Sequence, residues 1–356
     1  MSDHPLKQIG EFGLIGRIQS WFNEETSDLL GIGDDCTVIP RGDNECDLVT
    51  TDLLIEGTHF LFDKITPEDL GHKSLAVNLS DIAAMGGQPK HVWLAIGLTD
   101  RADLPWLERF FNGMNKLARK HHVRLMGGDT TRSQKHLVIN IMVSGTAAAS
   151  QVKFRSSARP GDVLFVTGTL GNSGGGLQLL LGNHHNTEDP AERNLIRAHN
   201  RPDPAVNAGL WLGIQPGVHA LIDLSDGISS DAGHVANRSG VTIALELTDL
   251  PIGADLRKVA LKHGWDPVQL ACSAGEDYVL FGSCDPDAWE SLRVSYRKEI
   301  GAELHRVGDV RDRPETDAGG DPSESKPGLL SGGQVSYLKN GTPIDFNKHG
   351  FDHFKS

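Results

Sequence analysis

Five times along this chain a short turn or helix end bearing carboxylates stands next to an apolar run. These are GIGDD (Asp34, Asp35), TTD (Thr50, Thr51, Asp52), NLSD (Asp81), GGDTTR (Asp129) and DLSDG (Asp223, Ser225, Asp226). Taken singly, each is an ordinary surface turn or cap, because Gly, Asp and Ser are common turn residues. Together they constrain the fold, since strands of one sheet tend to end on a common rim and ligand sites in α/β sheets form at such rims. The expectation is an α/β chain whose acids share one cleft.

Periodicity supplies the elements. Leu14, Ile15, Ile18, Trp21 and Phe22 make a helical stripe, and CDLVTTD (46–52) reads as a strand ending in hydroxyls and a carboxylate. HKSLAVNLSDIAAMGG (72–87) reads as a helix with Leu75, Leu79 and Ile82 on one face and Gly86-Gly87 as its stop. Ser74, Asn78 and Asp81 line a neighbouring face, and Asp81 falls near the C-terminal end, where the helix dipole disfavours an anion. A nearby cation removes that penalty.

VWLAIGL (92–98) and HLVINIMVSG (136–145) read as strands flanking a helix that carries Leu107, Phe110, Phe111, Met114 and Leu117. RSSARPGD (155–162) is a turn-rich joint, so a boundary is expected near residue 151, giving domains 1–151 and 152–356. The second half alternates strand and helix. Within it, 313–334 is polar and rich in Gly, Pro and Ser, and is expected to be a mobile loop.

A net charge of −13 argues against an electrostatic binder of nucleic acid or membrane surfaces, which needs a basic face. No apolar run approaches the roughly 18 residues of a membrane span. Cys36, Cys46, Cys272 and Cys284 show no C-x-x-C spacing, and no signal-peptide pattern is visible, so a cytoplasmic, reduced setting is expected. The four thiols are read as structural.

Hard oxygen ligands, with no His or Cys at zinc-like spacing, select Mg²⁺, which usually completes its shell with substrate phosphates. An acidic cleft then becomes a phosphate site. The P-loop and the protein-kinase signatures are missing. GTLGNSGGGLQLL (168–180) is a glycine-rich turn opening a helix; it suits either a phosphate on backbone N–H groups or a tight, closely packed strand-to-helix connection.

GIGDDCTVI, TTDLLIEGTHF, KSLAVNLSDIAAMGGQP, GGDTTRS, GTLGNSGGGL, LIDLSDGISSDAGHVANRSG, AGEDYVLF and GFDHF follow one another in the order of the motifs of the thiamine-monophosphate kinase family. The chain resembles that family over nearly its whole length. The family belongs to the aminoimidazole ribonucleotide synthetase-like superfamily. The resemblance implies a two-domain α/β (α+β) fold. In it, an N-terminal domain forms a β-barrel with its counterpart in a homodimer, and a C-terminal α/β domain packs beside it. It implies ATP-dependent phosphorylation of thiamine monophosphate to thiamine diphosphate with release of ADP, the final step of thiamine diphosphate biosynthesis, assisted by several Mg²⁺ ions.

Carried over by motif, Asp35, Thr50, Thr51, Asp52, Asp81, Asp129, Asp223 and Asp226 would hold the Mg²⁺ ions. Asp35, Asp81, Asp129 and Asp226 would be the catalytic carboxylates. Gly128, Asp129, Arg155 and Ser225 would touch ATP, and His59, Glu276 and Phe351 would meet the thiamine phosphate. Without the resemblance, His59 is an ordinary strand-end histidine and Glu276 a hairpin-turn acid. Asp34 is expected to shape the turn or act through water. Phe351 departs from the family's Tyr or Trp, keeping the stacking face and losing the polar handle. Ala274 stands in SAGEDY where the family has glycine.

Two other functions make different demands on the sequence. A ligase like aminoimidazole ribonucleotide synthetase predicts a GTDGVGTK-like stretch where this chain has TTDLLIEGTHF. A regulator without catalysis predicts an eroded acid set, and here none of the expected aspartates is missing.

Overall fold

The computed structural model describes residues 5–22, 31–313 and 333–346. The first half runs α1 (Pro5–Trp21), β1 (Thr37–Gly42), β2 (Glu45–Ile55), α2 (Pro67–Ala84), β3 (Gln88–Leu98), α3 (Leu104–Lys120), β4 (Arg124–Arg132) and β5 (Val138–Ala148). Its strands form one sheet in the order β1-β2-β5-β3-β4, antiparallel except for β3 with β4. The helix α3 spans that one parallel pair, as a parallel connection requires.

The expected apolar faces lie where the periodicity put them. Leu75, Leu79 and Ile82 of α2 are fully buried, as are Phe110 and, nearly so, Met114 and Leu117 of α3. The stripe of α1 ends exposed at Trp21 and Phe22. Four features differ from the sequence expectation. The strand β2 does not end at Asp52 but runs on to Ile55, and Phe111 of α3 is 37% exposed. The helix α2 begins at Pro67, because the Thr66 hydroxyl accepts the Asp69 N–H (3.1 Å), proline occupies the first turn, and Glu68 and Asp69 suit the positive end of the dipole. And RLMGGDTTR, read as a turn around Asp129, is the edge strand β4, whose 9 residues are all exposed. Its two glycines and polar residues carry no period-two apolar signal.

The second half runs β6 (Val163–Val166), α4 (Asn172–Leu181), α5 (Pro190–Asn200), α6 (Val206–Gly213), β7 (Val218–Asp223), α7 (Ile228–Ser239) and β8 (Thr242–Glu246). It continues through α8 (Ala254–His263), α9 (Pro267–Ser273), β9 (Leu280–Cys284), α10 (Trp289–Ile300), β10 (His305–Arg311), β11 (Gln334–Lys339) and β12 (Thr342–Ile344). These strands make a seven-stranded sheet, β12-β11-β8-β10-β6-β9-β7, in which β8 and β11 are parallel and the other pairs antiparallel. Residue 151 lies in the connection between β5 and β6. Most of the expected 313–334 loop falls outside the described residues, as does Phe351.

Buried apolar side chains form two clusters. One stays within the second half. The other starts at Leu48 and Ile141, includes much of α2, and continues into Leu212, Leu280, Trp289 and Tyr296. The helix α2 therefore lies between the two sheets, touching β2, β3 and β5 on one side and α6 and β7 on the other. Lys153 ties the same joint, donating to the Gln215 and Val218 carbonyls at 3.0 and 2.8 Å.

Candidate active site

The acids meet because three elements end at one place: the 31–36 turn, the α2 segment that carries Asp81, and the C-terminal end of β7. One carboxylate oxygen from each of Asp35, Asp81 and Asp223 lies within 4.8 Å of the others. The Thr50 hydroxyl donates to Asp81. On the same strand, the Asp52 N–H donates to Asn78 Oδ1 at 3.0 Å, so the polar stripe of α2 locks onto β2. Thr51 faces the other way, as strand alternation dictates, and its hydroxyl is engaged with the Ile141 carbonyl and with Asn140.

Asp34 and Asp35 both face Arg155, which is only 15% exposed. The guanidinium pairs with Asp35 and lies 3.4 Å from Asp34, while the Arg155 N–H donates to Asp34 Oδ2 at 3.2 Å. Asp34 therefore shapes its turn through direct contacts. Among the described residues, Arg155 is the one guanidinium paired with the acid group.

One arginine does not balance this charge. Burial, then the neighbouring Asp35 charge, raises Asp34 to about 7, Asp52 to about 6 and Asp223 to about 8. Burial also raises Asp35, against the pull of Arg155, and Asp81 is raised well above the carboxylate range by burial and then by Asp52 and Asp223. Like charges crowded away from water suppress each other's ionisation. Among the described residues, Asp35 Oδ2 is buried with no hydrogen-bond partner. An all-oxygen donor set with a lone acceptor and excess negative charge fits a hard divalent cation.

Asp226 belongs to a different group. Its carboxylate lies within 4.8 Å of ligand atoms of Asp231 and His234, and its N–H donates to Asp231 Oδ2 at 3.2 Å. Asp231 and His234 escaped the sequence reading, although their i, i+3 spacing puts them on one face of α7 beside the DLSDG turn. Asp129 stands apart from both groups on exposed β4, where its carboxylate accepts the Thr130 N–H at 2.9 Å. Gly128 beside it, at φ +151, leaves no room for a side chain: an added Cβ would sit 1.7 Å from the Leu94 carbonyl.

His59 and Glu276 come together across the two halves. His59 Nδ1 accepts the Ile55 N–H at 3.0 Å, so its other nitrogen carries the proton when the ring is neutral. Glu276 sits at φ +57 in the 274–278 turn, where its N–H donates to the Ser225 carbonyl at 2.8 Å. Its Oε2 accepts from Lys73 Nζ at 3.0 Å and lies 3.1 Å from His199 Nδ1. Burial pushes Glu276 up, but Lys73, then His199, with His59 adding, hold it below the usual carboxylate range. Ala274 has φ −87, ordinary right-handed backbone; the left-handed positions are Gly275, Glu276 and Tyr278.

The glycine-rich turn resolves in favour of packing. Asp277 already caps α4, accepting from the Gly171 and Ser173 N–H groups at 2.6 and 3.2 Å, so the anion position at that helix start is filled by the chain itself. A Cβ on Gly176 would lie 2.2 Å from the Leu195 carbonyl, which is why small residues follow. Asp277 is raised to about 7 by burial, against those backbone donors.

A mixed five-stranded sheet and a seven-stranded sheet meeting at a buried carboxylate group define the AIR synthase related class. Residues 33–147 match the N-terminal domain of AIR synthase related proteins, and residues 159–320 match their C-terminal domain. The thiamine-monophosphate kinase of Bacillus subtilis strain 168 is 34% identical over 352 residues, 98% of this chain and 100% of the relative. That of Haemophilus influenzae is 36% identical over 354 residues, 98% of each chain. The solved structure of AaThiL complexed with AMPPCP and TMP, at 30% identity, superposes with a TM-score of 0.81 over 99% of this chain and 100% of the other. The chain belongs to the thiamine-monophosphate kinase family.

Proposed function

We propose that this protein transfers the γ-phosphoryl group of ATP to the phosphate of thiamine monophosphate, giving thiamine diphosphate and ADP. The observation that carries the reading is the convergence of Asp35, Asp81 and Asp223 within 4.8 Å in a chain of this family.

The attacking atom is a phosphate oxygen, already largely ionised at neutral pH because the second phosphate pKa is about 6. No strong general base is required, and the protein's task is alignment and charge neutralisation in a loose transition state. Asp35, Thr50, Asp52, Asp81 and Asp223 would hold Mg²⁺, and Asp226 would hold a further ion with its neighbours. Magnesium, when bound, neutralises the phosphate oxygens of donor and acceptor. Thr51 is left out of the ligand set, because its hydroxyl is held on the opposite face of β2.

Arg155 keeps Asp34 and Asp35 together and, with Ser225, would face the nucleotide. Gly128 and Asp129 would reach it only from the exposed strand β4, and Asp129 is left out of the metal set because it stands apart from the clustered acids. His59 and Glu276 receive the acceptor, the carboxylate suiting a cationic thiazolium or an aminopyrimidine N–H. The open edge of β4, with Leu125 52% and Met126 55% exposed, supports a homodimer built on the first sheet. No helix among the described residues is long and apolar enough to cross a membrane, and the cytoplasm is the proposed setting.

Purified protein incubated with ATP, Mg²⁺ and thiamine monophosphate is expected to form thiamine diphosphate and ADP, with free thiamine inert as acceptor. Turnover of free thiamine alone would overturn the acceptor assignment.

A further inference from the structure

Lys73 is a lysine with almost no access to water: its side chain is 1% exposed, in the middle of the joint between the two sheets. Such burial is rare without a charged partner. Its partner is the same Glu276 oxygen, Oε2, that His199 Nδ1 approaches, and His199 is itself buried beside the Ser173 hydroxyl, 3.0 Å from Nδ1. Two side chains from two different helices thus converge on one oxygen of a carboxylate whose backbone is already turned to positive φ. The Glu276 side chain is 24% exposed, so the carboxylate is not sealed in by its partners.

We infer that Lys73, assisted by His199, is a positioning residue that ties Oε2 of Glu276 and so presents the second oxygen to the acceptor substrate. The inference rests on the reading that Glu276 meets thiamine monophosphate. Its consequence is geometric. Lys73 and Asp81 ride on the same helix, ~12 Å apart along its axis at the usual rise per residue. One rigid element therefore spaces the acceptor's recognition carboxylate from the carboxylates that would hold the metal. A phosphate that must meet the γ-phosphorus in line gains from such spacing, since small displacements of the reacting atoms cost rate steeply.

The test is steady-state kinetics of K73M, H199N, E276Q and the K73M/E276Q double variant, with melting temperature measured on each. E276Q and K73M are each expected to raise KM for thiamine monophosphate roughly tenfold, with KM for ATP changed less than about twofold. The double variant is expected to be no worse than the worse single, because both remove the same contact. An unchanged KM for thiamine monophosphate in K73M, beside a raised one in E276Q, overturns the positioning role and leaves the reading of Glu276 standing. Equal losses toward ATP and thiamine monophosphate, or additive losses in the double variant, overturn it too. An unchanged KM in E276Q removes Glu276 from the acceptor site and the inference with it. Should K73M fail to fold, H199N decides: a selective rise in KM for thiamine monophosphate supports the clamp, and no rise overturns it.

Discussion

The Thr50 hydroxyl donates to the Asp81 carboxylate, joining the second strand to the helix that separates the two sheets. The acid near the unfavourable end of that helix is thereby held by the sheet. Asp81→Asn is expected to lower ADP formation by at least ~100-fold while leaving the far-UV spectrum unchanged. Because Asp81 is crowded by burial, Asp52 and Asp223, the metal-free variant should melt at or above the wild-type temperature. Near-wild-type turnover would remove Asp81 from the metal-binding set.

The acid group also sets a pH dependence of a definite sign. Burial, then Asp35, raises Asp34 to about 7 and Asp223 to about 8, from an ordinary value of 3.8. A raised acid binds its proton more tightly in the folded state, so its stabilising contribution is full below the ordinary value and is lost as the pH climbs through the folded one. With chelator present, the melting temperature should fall between about pH 5 and pH 8, and Mg²⁺ with a non-hydrolysable ATP analogue should reverse the fall. Calorimetry with and without Mg²⁺ reads this directly. A flat profile in chelator would mean that the acids are effectively solvated.

Glu192 has the opposite sign. It is buried against Lys262 (2.6 Å), His263 (2.8 Å) and the Thr187 hydroxyl. Burial pushes its pKa up, but the His263, Lys262 and Thr187 contacts outweigh that and bring it to about 2. Its contribution is therefore present above the ordinary value of 4.5 and lost as the pH falls through about 2. Glu192→Gln should cost about 2 kcal/mol in urea unfolding at pH 7, with the gap to wild type closing as the solution is acidified. A gap that persists at the acid end would assign the loss to packing.

The edge strand offers a test of assembly. Replacing Leu125 by Glu and Met126 by Lys places charge on the exposed apolar positions of β4. The proposed homodimer should then sediment as a monomer of unchanged helix content. A dimer that survives both substitutions would move the interface elsewhere.

The apolar faces of α2 and α3 and the strands β2, β3 and β5 were legible because burial imposes a period on the sequence. The edge strand β4 was not, since an element without a buried face carries no such period. At the site, the aspartates were legible as residues and illegible as groups. Asp226 parts company with Asp35, Asp81 and Asp223 only when the β7–α7 turn is built, where it meets Asp231 and His234. Lys73 could not have been singled out, because a lysine in a helical pattern reads as solvent-facing until a distant carboxylate is seen above it. The same distance hid Asp277, whose place in the chain is remote from the glycine-rich turn it caps. The Ala274 departure turned out harmless for a local reason: the left-handed conformation is taken one residue later, by Gly275.

The apolar cluster that starts on the first sheet and ends beneath α10 has one more consequence. The second half keeps one cluster to itself, but the first half shares its interior with α6, β9 and α10, so it does not own the core it is built on. Cut between the sheets, the chain would leave two pieces, each showing water the surface the other was meant to cover. Inheritance of the enzyme is in that respect lopsided: a gene fragment encoding the first sheet alone would yield a sticky polypeptide, with no half-active kinase for selection to keep.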